Sequence, residues 1–309
     1  MSHECRACVK GPDQVVFRDD TDRLFLQFPG RFVGPPGHAN GGAFAGALTC
    51  LARHATGDGW VGSLSVRLSR PIPLHTDLGV EITQVDDRVE MTITSGETTI
   101  ATGWVDTCAT PDPLGVLSMP AERLAELVTA AVPSAAASAR ADAAPIRHPD
   151  ADMDFDTCFV CGEDHPDGLR LTLGALDNET AWRRWHPPAE FAEAGGLSPL
   201  VSTAALDCSS AALLRLDGTL QRGESVLLGT FDVDHLRAPD PEADLRLVAR
   251  TSHREGRKIW SDMALVDADD GAAVISRATW IVVDPSYAAA PGPNTQNTQN
   301  TRNTRNWAG

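Results

Sequence analysis

The most constraining feature of the chain is the stretch Phe32-Val33-Gly34-Pro35-Pro36-Gly37-His38-Ala39-Asn40-Gly41-Gly42-Ala43-Phe44-Ala45-Gly46-Ala47-Leu48. Pro35, Pro36 and Gly37 punctuate the backbone as a turn. Asn40 is a good N-cap, and after it small and apolar residues run on with no charge until Arg53. The pattern predicts a helix from Asn40 to about Ala55 that is apolar on nearly every side, so other parts of the chain must enclose it. The first N–H groups of such a helix have no partner within it. Gly41 and Gly42 would let a ligand oxygen approach them, which makes this turn a candidate oxyanion hole.

The rest of the chain repeats this plan. Gln14 to Phe28 alternates as one or two strands. Ser63–Leu68, Leu78–Val85, Arg88–Ser95 and Thr98–Thr107 follow the helix as four further strand candidates. A Pro- and Ala-rich region, 109–156, reads as an interdomain linker with one amphipathic helix over Pro120 to Ala131, Leu124 and Leu127 facing inward. Then the pattern restarts. Cys158-Phe159-Val160-Cys161 matches the opening Cys5-Arg6-Ala7-Cys8. Leu169–Leu173 and Thr180–Trp185 are strand candidates. Ser198-Pro199 opens a second small-residue helix running to about Arg215, its one acid being Asp207. Four strand candidates close the unit: Ser225–Asp234, Ala243–Ser252, Lys258–Asp267 and Ala273–Val283. The expected organisation is an N-terminal unit over 1–108, the linker over 109–156, a C-terminal unit over 157–285, and a polar, repetitive tail over 286–309 that is expected to be disordered.

Composition narrows the function. The chain has 309 residues, 42% of them hydrophobic, with a net charge of -16, which argues against nucleic acid as the main partner. No apolar run has the length of a membrane span, Met1-Ser2-His3-Glu4-Cys5 does not read as a signal peptide, and the cysteines number seven; a reduced, cytoplasmic protein is the expectation.

A sheet around one long apolar helix with a His38-Ala39-Asn40-Gly41-Gly42 turn at its start resembles the hotdog fold. Two copies in one chain resemble the double-hotdog acyl-CoA thioesterases. The run Cys158-Phe159-Val160-Cys161-Gly162-Glu163-Asp164-His165-Pro166-Asp167-Gly168-Leu169-Arg170-Leu171 is similar to an opening of single-domain hotdog thioesterases. The fold class implied is α+β, a tandem hotdog with each half an antiparallel sheet around a central helix. In single-domain relatives the helix opens with His-Gly-Gly and carries an Asp nine residues after that His, and the site forms between subunits. Here Asn40-Gly41-Gly42 is followed at the ninth position by Thr49, whereas Ser198-Pro199-Leu200 lacks the glycines but is followed at the ninth by Asp207. Each half keeps what the other has lost, which implies one composite site per chain.

The resemblance assigns Asp207 as general base and Gly41/Gly42 as oxyanion hole. His38 is a carbonyl- or thiol-positioning group, and Asn40 is the helix cap at the site. In double-hotdog thioesterases a Thr and a Gln on following strands hold the water with the Asp; these positions fall at Thr230 and Thr279 in this chain. The expected reaction is hydrolysis of an acyl thioester, with coenzyme A or an acyl carrier protein as carrier. The alternatives are a dehydratase or hydratase using His38 with Asp207, and a non-catalytic acyl-binding protein. Arg250, Arg254 and Arg257 around one hairpin are candidate phosphate contacts, with Lys258, Arg67 and Arg70 of the same kind. No cofactor is required. The two Cys-x-x-Cys pairs, Cys5/Cys8 and Cys158/Cys161, are candidate ligands of a structural zinc, with His165 as a further candidate, while Cys50 and Cys208 read as packing residues. Exposed hotdog sheets commonly pair, so a homodimer of such chains is expected.

Overall fold

The computed structural model of the chain describes residues 11–284 apart from 12, 19–20, 22, 57–59, 109–118, 147–154 and 194. Cys5, Cys8 and the polar tail lie outside the described residues.

The first half opens with two short strands, β1 (Val16–Arg18) and β2 (Leu24–Leu26), and then enters helix α1 (Gly41–Thr56). Four strands follow: β3 (Trp60–Leu68), β4 (Leu78–Val85), β5 (Arg88–Ser95) and β6 (Thr98–Cys108). The expected boundaries of β4 and β5 match because period-two alternation is bounded there by tight turns. Between the halves lie α2 (Ala121–Ala130) and α3 (Ala135–Ala143).

The second half contains β7 (Gly174–Ala175), β8 (Thr180–Trp185), a small ribbon of β9 (Ala192–Glu193) and β10 (Gly196–Leu197), and then α4 (Pro199–Ala205) and α5 (Cys208–Leu216). The strands β11 (Ser225–His235), β12 (Leu245–Glu255), β13 (Lys258–Asp267) and β14 (Gly271–Val283) complete it.

Among the described residues twelve strands form one antiparallel sheet in the order β1-β2-β4-β5-β6-β3-β11-β14-β13-β12-β8-β7. The order is palindromic about the β3/β11 seam, so each half supplies a six-strand sheet of the same connectivity. The seam pairs Phe231 with Val66 and Val233 with Leu64. Two serine–aspartate hydrogen bonds reinforce it, Ser63 Oγ to Asp234 at 2.7 Å and Ser65 Oγ to Asp232 at 2.5 Å. One continuous core, from Val16 and Phe44 to Phe231 and Trp280, runs through both halves.

α1 and α4 pack side by side at the centre of that core, and the contact is close because of two glycines one turn apart. A Cβ on Gly42 would lie 2.6 Å from the Asp207 Cβ and 3.0 Å from the Ala204 Cα; one on Gly46 would lie 2.6 Å from the Leu200 Cα. Only hydrogen fits at these points, and the small-residue stretch visible in the sequence is what lets the two backbones meet.

Two expectations are corrected. The second helix is not continuous: it breaks at Leu206–Asp207. There the bonds tighten to three-residue spacing, with Leu206 N–H donating to Thr203 O and Asp207 N–H to Ala204 O. Asp207 therefore stands immediately before α5, at a bend, with its side chain free to leave the helix axis. Leu169–Leu173 is extended but is not a strand. Arg170 has a φ of +49°, and the segment instead hangs from the turn before it, Leu169 N–H donating to Phe159 O and Leu171 N–H to Val160 O.

The Pro/Ala-rich region packs on the outer face of the second half. Met119, Leu127 and Ala131 form a second buried cluster with Trp182, Val248 and Ile275. The C-terminal carbonyl of this layer, Ala131 O, accepts from Trp182 Nε1 and Arg246 Nη1, both at 3.1 Å. Arg123 of α2 reaches the fully buried Asp262 at 3.1 Å, a carboxylate that Arg277 also grips through two nitrogens. No helix of the described residues is long and apolar enough to cross a membrane.

Candidate active site

The turn before α1 is held rigidly. Gly34 N–H donates to His38 O, Ala39 N–H to Ile72 O and Asn40 N–H to Phe32 O. Asn40 caps the helix as its sequence position predicts, its Oδ1 accepting Ala43 N–H at 2.8 Å. The Asn40 amide nitrogen points the other way, to Cys208 Sγ at 3.2 Å. The capping residue of the first half is thus bonded to the helix bend of the second.

Asp207 completes this junction. Its Oδ2 accepts the Gly42 N–H at 2.8 Å, and the residue is buried at 3% exposure. Burial pushes its carboxyl group up to about 7, against the opposing pull of the Gly42 and Asn40 hydrogen bonds. The consequence for the α1 N-terminus is specific. Gly42 N–H is taken by Asp207 and Ala43 N–H by Asn40, so Gly41 N–H is the donor of the first turn left without a partner among the described residues.

A cavity of about 410 Å³ opens over this point, lined by Gly41, Asp207 and Cys208 and, on the apolar side, by Ile72, Leu228 and Trp280. His38 lines it too. Its Nδ1 faces the Pro36 carbonyl at 3.0 Å and must donate to it, which leaves Nε2 as the acceptor; burial keeps the ring's pKa below its ordinary value. An imidazole with an acceptor nitrogen, a carboxyl group whose pKa burial raises to about 7 and a free helix N–H therefore share one pocket.

Five of the residues singled out from the sequence, His38, Asn40, Gly41, Gly42 and Asp207, are brought together here. Thr230 and Thr279 are not. They are cross-strand partners in the β11/β14 ladder, but their neighbours Phe231, Ala278 and Trp280 point into the core, so both threonines face the opposite side of the sheet. Neither lines the cavity. The side chain that reaches the start of α1 from this ladder is Leu228, just before the β11 bulge. That bulge, which shifts the register between Leu228 and Thr230, is what counting along the sequence missed.

The arginines also separate. Arg250 is engaged by Glu126 and Glu179, and Arg254 by both oxygens of Glu224. Arg257 alone of the three lines the cavity, its Nε donating to Val282 O at 2.9 Å; Arg70 lines it as well. Both are exposed, whereas Asp207 is buried, so the cavity extends from a charged mouth to an acidic floor.

Cys208 is more than a packing residue. Its sulfur lies 3.6 Å from Cys158 Sγ, and the sulfurs of Cys158, Cys161 and Cys208 all lie within 4.8 Å of one another. The S–H groups of the other two hold the Cys158 thiol well below its ordinary pKa, while Cys161 and Cys208 are pushed up. His165 is not part of this group: its Nε2 donates to Arg31 O at 2.7 Å and its Nδ1 accepts Asp167 N–H at 3.1 Å, so both ring nitrogens are used.

The sequence matches no protein-family model and no curated protein. The fold does have solved counterparts. A provisionally assigned thioesterase II from Thermobifida fusca is 17% identical with a TM-score of 0.57, over 87% of this chain and 95% of that one. A provisionally assigned thioesterase from Novosphingobium aromaticivorans is 17% identical with a TM-score of 0.56, over 87% and 98%. The dehydratase domain of PpsC from Mycobacterium tuberculosis, solved in complex with C12:1-CoA, is 16% identical with a TM-score of 0.52, over 87% and 97%. A protein with a hot dog fold from Alicyclobacillus acidocaldarius is 15% identical with a TM-score of 0.54, over 87% and 96%, and the chain shares this fold along nearly its whole described length.

Proposed function

We propose that the two units are a tandem pair of hotdogs, each wrapped on its own helix, and that together they form a single composite site that hydrolyses an acyl thioester. The observation that carries this reading is the bond from Gly42 N–H of the first unit to Asp207 Oδ2 of the second, at 2.8 Å on the floor of an apolar cavity. Neither unit holds both groups.

In this mechanism the acyl chain lies along the wall made by Ile72, Leu228 and Trp280, which replaces water with apolar contact. The thioester carbonyl oxygen takes the free N–H of Gly41, at the positive end of α1. Gly42 serves the carboxylate instead of the oxyanion, which divides the role first given to both glycines. Asp207, held by Gly42, removes a proton from water as the water oxygen adds to the carbonyl carbon. The C–S bond then breaks, and the thiol leaves with the proton that Asp207 took from the water. Arg257 and Arg70 at the exposed end suit a phosphorylated carrier, coenzyme A or the phosphopantetheine arm of a carrier protein.

A second reading rests on a specific observation. His38, its Nδ1 engaged by the Pro36 carbonyl, lines the same cavity as Asp207, and a dehydratase or hydratase on a thioester-bound acyl chain needs such a pair of groups. A non-catalytic acyl-binding protein would use the cavity alone. The deciding experiment follows free-thiol release from short, long and aromatic acyl-CoA thioesters by wild type and Asp207→Asn, with the absorbance of 2-enoyl-CoA followed in parallel on 2-enoyl- and 3-hydroxyacyl-CoA substrates. Thiol release that collapses in the variant supports the hydrolase. Loss or gain of the enoyl signal without thiol release assigns hydration or dehydration. A folded protein that binds acyl-CoA unchanged in both forms, with neither signal, overturns both enzyme readings.

A further inference from the structure

The cysteine cluster lies outside the hydrolytic scheme, yet it touches the same helix bend. Cys158 and Cys161 sit on one turn, closed by Gly162 N–H donating to Cys158 O at 2.9 Å. That turn belongs to the second half but is docked on the first: Phe159 N–H donates to Val33 O at 2.7 Å, and the Phe159 ring meets Phe32 at 4.9 Å between centroids. The third sulfur, Cys208, arrives from the first residue of α5. All three sulfurs thus converge from a rigid turn and a helix start, without any disulfide among them.

Their spacing suits a cation. A tetrahedral zinc with Zn–S bonds of about 2.3 Å places its sulfurs about 3.8 Å apart. The Cys158–Cys208 separation of 3.6 Å falls near that edge, and far from the roughly 2.05 Å of a disulfide. The third sulfur lies within 4.8 Å of both, a distance that small side-chain rotations close. The spacing Cys-x-x-Cys supplies two ligands from one turn, the usual arrangement for a structural zinc. The Asn40 amide donates to Cys208 Sγ at 3.2 Å, the kind of outer hydrogen bond that orients and stabilises a ligating sulfur.

We propose that Cys158, Cys161 and Cys208 bind a thiophilic divalent cation of the zinc class through three thiolates. Cys208 is the one residue of the three that lines the cavity, so the fourth position is assigned to that side and takes a water or an exogenous ligand. The set differs from the pairing of Cys158/Cys161 with Cys5/Cys8 expected from the sequence, because the third thiolate comes from the helix. Its structural role is to clamp the turn at Cys158 to the bend that carries Asp207, fixing one half's entry segment against the helix break. This holds whether or not the cavity hydrolyses thioesters.

The test uses the full chain, purified under reduction, loaded with zinc or cobalt(II) and desalted. Wild type should retain about one metal ion per chain by elemental analysis, and the cobalt form should show thiolate charge-transfer bands with tetrahedral d–d bands. Cys208→Ser and Cys158→Ser should each lose the ion and the bands, while Cys50→Ala, a buried cysteine outside the cluster, keeps both. A strong chelator should lower the melting temperature of wild type and Cys50→Ala but not of Cys208→Ser. Cys5→Ser/Cys8→Ser should keep the metal; its loss there would overturn the three-thiolate assignment. A folded wild type that retains no metal, or a Cys208→Ser variant with an unchanged cobalt spectrum, would overturn the site altogether.

Discussion

Asp207 Oδ2 accepts the backbone N–H of Gly42 at 2.8 Å across 165 residues of sequence. An acid placed directly before a helix ordinarily caps that helix through its own side chain. Asp207 stands directly before α5, but its carboxylate serves the N-terminus of α1 instead, while its backbone carbonyl accepts from Ser210 N–H and Oγ at 3.0 Å. This bond ties the N-terminus of the first half's helix to the carboxylate of the second half.

Asp207→Asn should remove most thioester hydrolysis, on the order of 10²–10⁴-fold in kcat, with little change in KM. The amide oxygen can still accept the Gly42 N–H, so the melting temperature should stay near that of wild type. A variant that keeps wild-type turnover would eliminate Asp207 as the base.

Gly42→Ala places a methyl group 2.6 Å from the Asp207 Cβ and 3.0 Å from the Ala204 Cα, atoms of a packed helix that cannot rotate away. The α1–α4 contact must open. A stability loss of about 1–3 kcal/mol is expected in urea titration, accompanied by loss of activity. Unchanged stability would show that the helices are not so closely packed.

Asn40 has two separable roles. Asn40→Ala loses the cap on Ala43 N–H and should cost about 1 kcal/mol of stability. Asn40→Ser retains a capping oxygen but lacks the amide that donates to Cys208, so it should recover most of the stability lost by the alanine variant. Equal losses in the two would mean that the amide–sulfur contact, and not the cap, carries the stability.

His235 gives the fold an acid-sensitive point. It is buried against Thr203 Oγ1 at 3.2 Å, and desolvation, with Arg53 of α1 nearby, lowers its pKa from 6.5 to about 4. Below pH 6.5 the unfolded chain takes up a proton that the folded chain refuses. Stability from this group is therefore whole above pH 6.5 and lost as pH falls towards 4, about 3 kcal/mol in all. The difference in unfolding free energy between wild type and His235→Gln, measured from pH 7 to pH 4, isolates the term from other titrating groups. A difference that does not change with pH would refute it.

The arginines should divide by what they already touch. Arg257→Ala should raise KM for acyl-CoA about tenfold, the scale of one charge-assisted hydrogen bond. Arg250→Ala and Arg254→Ala, whose guanidinium groups are occupied by Glu126, Glu179 and Glu224, should leave KM nearly unchanged. A reversed order would place the carrier on the outer hairpin.

Much of this protein is determined by local sequence. Alternation between tight turns set β4, β5, β8 and β13 to the residue, and the uncharged run after Asn40 announced a helix that must be enclosed. Measured against the hotdog thioesterase pattern that the chain resembles, the complementary losses, Thr49 in one half and the glycines in the other, point to Asp207 and the α1 N-terminus as partners. The strand and helix signals are short-range, depending on period and capping, whereas the pairing of Asp207 with the α1 N-terminus is what the resemblance to hotdog thioesterases implies. The tertiary structure decided what depends on long-range register and on angle. The bend at Leu206–Asp207 is invisible to helix propensity, since nothing there is a helix breaker; it appears where Asp207 turns towards another helix. The bulge at Leu228–Thr230 changes which β11 side chain faces the cavity and leaves Thr230 on the far face, opposite Thr279. Cys208 joins Cys158 across 50 residues because the bend brings α5 to the Cys-x-x-Cys turn, a convergence no spacing along the chain records. Sequence periodicity specifies which face of an element is buried; only packing specifies what it is buried against.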